Sequence, residues 1–219
     1  MSQAGKMKNL FRVRYLQIIG LYTLFNIIYI SILNFYMGNQ KYNFLLWNLF
    51  LGFVPFAIAF VMRINISKLN TFVFIFGIFL WLLFYPNAPY MVTDLIHVDQ
   101  DSTRVLYETL MLFSFAMQAL FLGFYSLKLM WEIFNVRFKK LTANIIIFIA
   151  VLLSSFGIFL GRILRLNSWD VFTHPFQTLK TILEHLFPIS SNPATYAVII
   201  IFTLIQLLLL SSIRDLEEI

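Results

Sequence analysis

Six stretches of this chain carry no formal charge and are long enough to cross a bilayer. They are Tyr15–Gln40, Tyr42–Met62, Leu69–Thr93, Thr109–Leu127, Leu141–Gly161 and Leu186–Ile213. A spanning helix needs roughly 20 mainly apolar residues, because each rises about 1.5 Å across a hydrocarbon core about 30 Å thick. Inside lipid every backbone N–H and C=O has to bond within the chain, which leaves helices and closed barrels. The strict period-2 alternation of a barrel strand is missing from these stretches. The sequence therefore predicts an all-α membrane protein, a single polytopic domain over residues 1–219. Its six transmembrane helices are expected near 15–36, 43–62, 69–86, 107–128, 141–162 and 194–213.

Composition points the same way. The chain is 60% hydrophobic and 12% charged, with 26 phenylalanines in 219 residues. Soluble domains carry about 25% charged residues. Lipid is the natural solvent for so many exposed apolar side chains. There are no cysteines, which excludes disulfides and thiolate chemistry.

The placement of Lys and Arg predicts orientation. With the N-terminus inside, the inner segments hold Lys6, Lys8, Arg12, Arg14, Arg63, Lys68, Lys128, Arg137, Lys139, Lys140 and Arg214. The outer segments hold only Lys41, Arg104, Arg162, Arg165 and Lys180. Both termini are thus expected in the cytoplasm. The net charge of +6 reads as an orientation signal and as contact with anionic inner-leaflet lipid. The basic residues form no continuous patch, so nucleic acid is not an expected partner. The basic start before Tyr15 precedes an apolar run too long for a signal peptide, and reads as a retained first span.

Polarity concentrates in two places. All three histidines and six of the ten carboxylates lie in Pro86–Glu108 and Gly161–His185. The topology puts both stretches on the outer side. In the first, the third apolar run meets Pro86-Asn87-Ala88-Pro89. Prolines end helices and push the preceding residue to extended geometry, so a break is predicted at the outer boundary. The Asn87 amide is placed to satisfy backbone groups freed there. The segment Tyr90–Val98 is expected to dip back or lie flat. In the second stretch, Pro175 fits a helix start. Phe176, Leu179, Ile182, Leu183 and Leu186 form an apolar stripe opposite Gln177, Lys180, Thr181 and Glu184. A short amphipathic helix on the outer interface is predicted.

Asp94 and His97 are three apart, and Asp170 and His174 four apart, so each pair shares a helical face. Together they are candidate catalytic groups, as ligands of a divalent metal or as acid–base pairs. The competing reading is helix capping and solvation. Arg162 and Arg165 lie just past the fifth span, against the orientation bias. A guanidinium fork suits phosphate or carboxylate, so with Asn167 and Trp169 they are candidate ligands for an anionic lipid or lipid-linked molecule. The plainer role is pairing with Asp94, Asp99, Asp101 or Asp170. Glu108 is expected at the interface. Asn26, Asn34, Asn48, Gln118 and Asn144 are expected to bond between helices.

PNAPYMVTDLIH followed by GRILRLNSWDV resembles a bacterial membrane-protein family, domain of unknown function 1361. The resemblance covers most of the chain, from about the second span to the sixth. It implies a polytopic plasma-membrane protein and carries no known activity. It also implies that Pro86, Asn87, Pro89, Asp94, Arg162, Arg165, Asn167, Trp169 and Asp170 belong to the family's common pattern, with Tyr90 beside them. Three functions stay open: a protein that binds or processes an anionic lipid-linked envelope component, a small metal-dependent or acid–base enzyme, and a transporter.

Overall fold

A computed structural model of the chain describes residues 3–99, 103–166, 170–186 and 193–215. Asp101, Asn167 and Trp169 lie outside the described residues. Within them the protein is helical: α1 (Gln3–Met37), α2 (Phe44–Ile64), α3 (Thr71–Phe84), α4 (Asn87–Tyr90), a 3₁₀ helix (Met91–His97), α5 (Val105–Arg137), α6 (Lys140–Arg162), α7 (Asp170–Thr173), α8 (Pro175–Leu186) and α9 (Pro193–Asp215). Five segments are long and apolar enough to cross a membrane: Arg14–Met37, Phe44–Ile64, Thr71–His97, Val105–Arg137 and Lys140–Arg162. In α9 a shorter apolar stretch, Tyr196–Ser212, is described.

The bundle is organised around α5. Met111, Leu112, Phe115, Ala119, Leu122, Leu127, Met130 and Phe134 of this helix are all buried. It packs against α1, α2, α6, α9, α4 and the 3₁₀ helix, and α9 also packs on α6. The lipid-facing sides keep their large apolar side chains exposed, among them Phe35, Phe72, Leu141 and Leu208. That inverts the soluble pattern, as hydrocarbon solvent permits.

Helices of a membrane bundle gain little from burying leucine, so packing and hydrogen bonds hold them together. Asn26 donates to Gln118 across α1 and α5 (2.7 Å), and Ser114 donates to Asn26 (2.7 Å). Asn34 donates to Asn43 (2.7 Å). The Trp131 indole donates to Asn144 (2.9 Å). Between α6 and α9, Thr203 and Gln206 both donate to Ser155 at 3.0 Å. The interhelical role expected of the span amides is thus observed.

Helix α5 continues nine residues past the expected end at 128. At that end of the bundle Arg63 pairs with Glu132 at 2.6 Å. Arg137 donates to the carbonyls of Ile66 and Leu69 (3.2 and 2.6 Å) and lies over the Phe74 ring. These contacts satisfy charges on the last turns of α5 and tie them to the α2–α3 loop.

The proline-rich turn departs from expectation in one respect. Tyr85, before Pro86, stays helical (φ −56°, ψ −39°), where extended backbone was predicted. Pro86 opens a new turn instead of ending structure. The Ala88 amide donates to Tyr85 O (3.2 Å) and the Tyr90 amide to Pro86 O (3.0 Å). Asn87 Nδ2 donates to Phe84 O at 2.9 Å, the satisfying role its amide suggested. These bonds offset the steric preference of a pre-proline residue for extended backbone. Irregular backbone at this depth must lie against protein, and it does: Ala88, Pro89 and Met91 are buried.

Close approach is what buries the turn. A Cβ placed on Gly123 of α5 would sit 2.9 Å from Ala88 Cβ. One on Gly157 of α6 would sit 2.8 Å from Pro86 Cγ. Gly161, one turn on, faces the Tyr90 ring, with 3.2 Å left for a Cβ. Glycines of two helices thus form the bed on which Pro86–Tyr90 lies.

Candidate functional site

The turn leads directly into the 3₁₀ helix. With three residues per turn, positions i and i+3 eclipse, so Asp94 and His97 face the same way. The end of α6 brings Arg162 against that face. Its Nη2 donates to Asp94 Oδ1 in a short ion pair. Its Nε donates to Thr93 Oγ1 (2.7 Å) and its Nη1 to His97 Nε2 (3.1 Å). The guanidinium plane lies over the Tyr90 ring, 4.4 Å from its centroid. Asp94 is 2% exposed, and its second oxygen accepts from Asn48 Nδ2 of α2 at 2.9 Å. One arginine therefore joins α6 to Tyr90, Thr93, Asp94 and His97 of the first polar stretch, and the carboxylate carries the link on to α2.

The arrangement assigns roles. Arginine only donates, so the His97 Nε2 that meets Arg162 is an acceptor and the ring proton sits on Nδ1. That lone pair is already engaged, which leaves His97 poorly placed as a general base. The shared metal site of Asp94, His97, Asp170 and His174 is not formed. Among the described residues no three His, Asp or Glu side chains gather closely enough to hold an ion. The reason is physical: the Arg162 guanidinium occupies the place between Asp94 and His97 that a cation would take. His174 is exposed and its Nδ1 lies 3.0 Å from the neighbouring Thr173 hydroxyl. The Asp170 carbonyl accepts from the His174 amide and the Thr178 hydroxyl (2.9 and 3.2 Å).

Beside this cluster opens a cavity of about 660 Å³. Its walls come from α2, α3, the proline turn, the 3₁₀ helix, α6 and α8. One part is hydrocarbon, formed by Leu51, Leu82, Leu83, Leu153 and Leu160. The other is polar, with His97, Arg162 and Arg165, Asn48 and Asn87, and no carboxylate among the lining residues. Leu153 and Arg162 are nine residues apart on α6, about 13 Å along its axis. A groove of that length running from leucines to arginines fits an amphiphile.

Arg165 differs from Arg162. It is exposed and has no ion-pair partner among the described residues. Its backbone is left-handed, φ 55°, a conformation that costs a non-glycine residue roughly 1–2 kcal/mol. The turn after α6 thus holds, in a strained position at the cavity, a guanidinium that no carboxylate of the described residues pairs with.

Three residues have partners that the sequence did not name. Glu108 is buried against protein, accepting from the equally buried Tyr42 hydroxyl. Asn48 and Thr93 complete the Asp94–Arg162 cluster. Asn48 carried a signal as an amide one turn inside the outer end of a span. At the surface Lys41 pairs with Asp99 at 3.1 Å, and this hydrogen bond raises the lysine pKa above its ordinary value.

A family model described as Protein of unknown function (DUF1361) matches residues 47–209. The chain belongs to that family. The match takes in Asn48, the proline turn, Asp94, His97, Arg162 and Arg165, so the whole cavity lies inside the DUF1361 region. No curated protein and no solved structure matches the chain. The family description states no activity, so the reading of the site rests on its own chemistry.

Proposed function

We propose that this DUF1361 protein binds an amphipathic, lipid-linked component of the bacterial envelope in the outer leaflet of the plasma membrane. The observation that carries this reading is the cavity, which joins a leucine-lined groove to an arginine-bearing end. Pockets for small ligands are mostly apolar, with a few placed polar groups, and measure about 300–1,000 Å³. In this reading α9 is a sixth span and both termini are cytoplasmic. Helix α8 lies in the outer interface. Its Phe176, Leu179 and Leu183 are exposed, Phe176 by 87%, while Thr178 and Ile182 turn inward to the cavity. An apolar stripe facing away from its own bundle suits a helix resting in headgroups. Asp94 and Arg162 build the wall of the site and Arg165 faces the ligand.

Two experiments test this. The first is topology. The chain has no cysteine, so single cysteines report without background. One at Asn39 should react with an impermeant thiol reagent in intact cells, and one at Lys139 should not. The reverse labelling would move the cavity to the cytoplasmic side. The second fills the groove. Leu153→Trp adds bulk at the apolar end, far from the Arg162 cluster. Lipid that copurifies with the wild type, measured by mass spectrometry of extracts, should fall several-fold at unchanged protein yield. Copurified lipid identical in both proteins would remove the cavity from the function.

A further inference from the structure

We infer that the cavity selects a lipid with a net anionic phosphate headgroup, held by the Arg165 guanidinium and the Nδ1–H of His97. This rests on the proposed lipid-binding function and adds the headgroup chemistry. The argument is an inventory of donors and acceptors at the polar end. Arg162 looks like the ligand residue from its spacing, yet three of its five N–H groups are directed to Asp94, Thr93 and His97 and its face is covered by Tyr90. Both oxygens of the buried Asp94 carboxylate are engaged, by Arg162 and Asn48. The Arg162 charge is matched by Asp94, so the cluster brings no net positive charge to an incoming anion.

What remains is donor in character. Arg165 brings five N–H groups without a carboxylate partner among the described residues. His97, exposed beside the cavity, brings the proton left on Nδ1 by the engagement of Nε2. Among the described residues no acidic side chain lines the cavity, so a choline or ethanolamine ammonium would find no counter-charge there. A phosphate with only oxygens at its surface suits these donors, and a guanidinium fork binds it with charge-assisted bonds. The leucine groove running from the cations makes the source a lipid headgroup rather than free phosphate. The strained backbone of Arg165 agrees with a side chain kept for its charge, since glycine would sit there without penalty.

That strain also supplies the test. Arg165→Gly relieves the left-handed backbone, so the variant should fold at least as well as wild type. The full chain, released from maltoside micelles, is titrated by native mass spectrometry with dodecyl phosphate, dodecylphosphocholine or inorganic phosphate. Dodecyl phosphate should be retained best. Its affinity should drop about tenfold or more in Arg165→Gly, the loss expected for one charge-assisted contact, and clearly also in His97→Phe. Arg165→Lys should recover part of it. Equal retention of dodecyl phosphate and dodecylphosphocholine by the wild type would overturn the headgroup assignment and leave lipid binding standing. Inorganic phosphate bound as tightly as dodecyl phosphate would replace the lipid by a soluble anion. If neither amphiphile is retained, the proposed function falls with the inference.

Discussion

Asp94→Ala should cost about 3–5 kcal/mol, the usual effect of removing one partner from a buried ion pair. The carboxylate is 2% exposed and the arginine side chain 14%, so solvent can do little to replace what is lost. Arg162 would keep Thr93, His97 and the Tyr90 face, which places the effect toward the lower end. Asn48 would lose its acceptor in addition. Domains are stable by only about 5–15 kcal/mol, so membrane abundance and the thermal midpoint in detergent should both fall visibly. Replacing both charges, as in Asp94→Leu with Arg162→Met, should cost less than Asp94→Leu alone, because no charge is then stranded. The measurement is a thermal series on Asp94→Ala and on the four proteins of that cycle, the wild type, Asp94→Leu, Arg162→Met and the double variant. A wild-type midpoint in Asp94→Ala would mean that the pair does not hold the wall. A wild-type midpoint with loss of the cellular phenotype would return Asp94 to chemistry, as the enzyme reading has it.

How much of this was visible beforehand depends on how local the signal is. Spans are local, since twenty uncharged apolar residues can satisfy their backbone in lipid in few ways, and the helices follow the apolar runs. The pairing of Asp94 with Arg162 was legible as well. Both lie at one predicted boundary, where an unpaired charge is costly, and each is among few candidates for the other. What could not be read is which arginine stays free. Arg162 and Arg165 look alike in sequence, one turn apart at the end of one helix. Only the geometry of the 3₁₀ helix, which stacks Asp94 and His97 on one side, decides that Arg162 is used up in the wall. The same blindness applies to Asp170 and His174. Their spacing matches a helical pair, yet nothing in spacing says whether a second pair faces the first. The partner of Glu108 was hidden for a related reason: it is Tyr42, 66 residues away. The proline turn was half legible. Its break was announced by two prolines, and its continued helicity was set by amide-to-carbonyl bonds and by the glycines beneath it.

Those glycines yield the second large expected effect. Gly123→Ala adds one methyl group, and an alanine in mid-helix ordinarily stabilises by roughly 0.5–1 kcal/mol over glycine. Here the sign should reverse. The new Cβ would lie 2.9 Å from the Cβ of Ala88, a distance that real Cβ atoms essentially never show, and neither atom can swing aside because both are fixed to backbone. The turn would have to lift off α5, taking with it the 3₁₀ helix that carries Asp94 and His97. Overpacking of this kind typically costs about 1–3 kcal/mol, and Gly123→Leu should cost more. Ala88→Gly removes the opposing methyl group and should by itself be mildly destabilising. Combined with Gly123→Ala it should restore part of the loss, giving a coupling of about 0.5–3 kcal/mol between residues 35 positions apart in sequence. The same lift would carry Pro86 and Tyr90, which line the cavity, so retention of dodecyl phosphate should weaken in Gly123→Ala and recover in the double variant. Strict additivity of the two substitutions in thermal midpoint would show that the turn does not rest on α5 as described, and the account of how the proline motif positions the site would have to be abandoned.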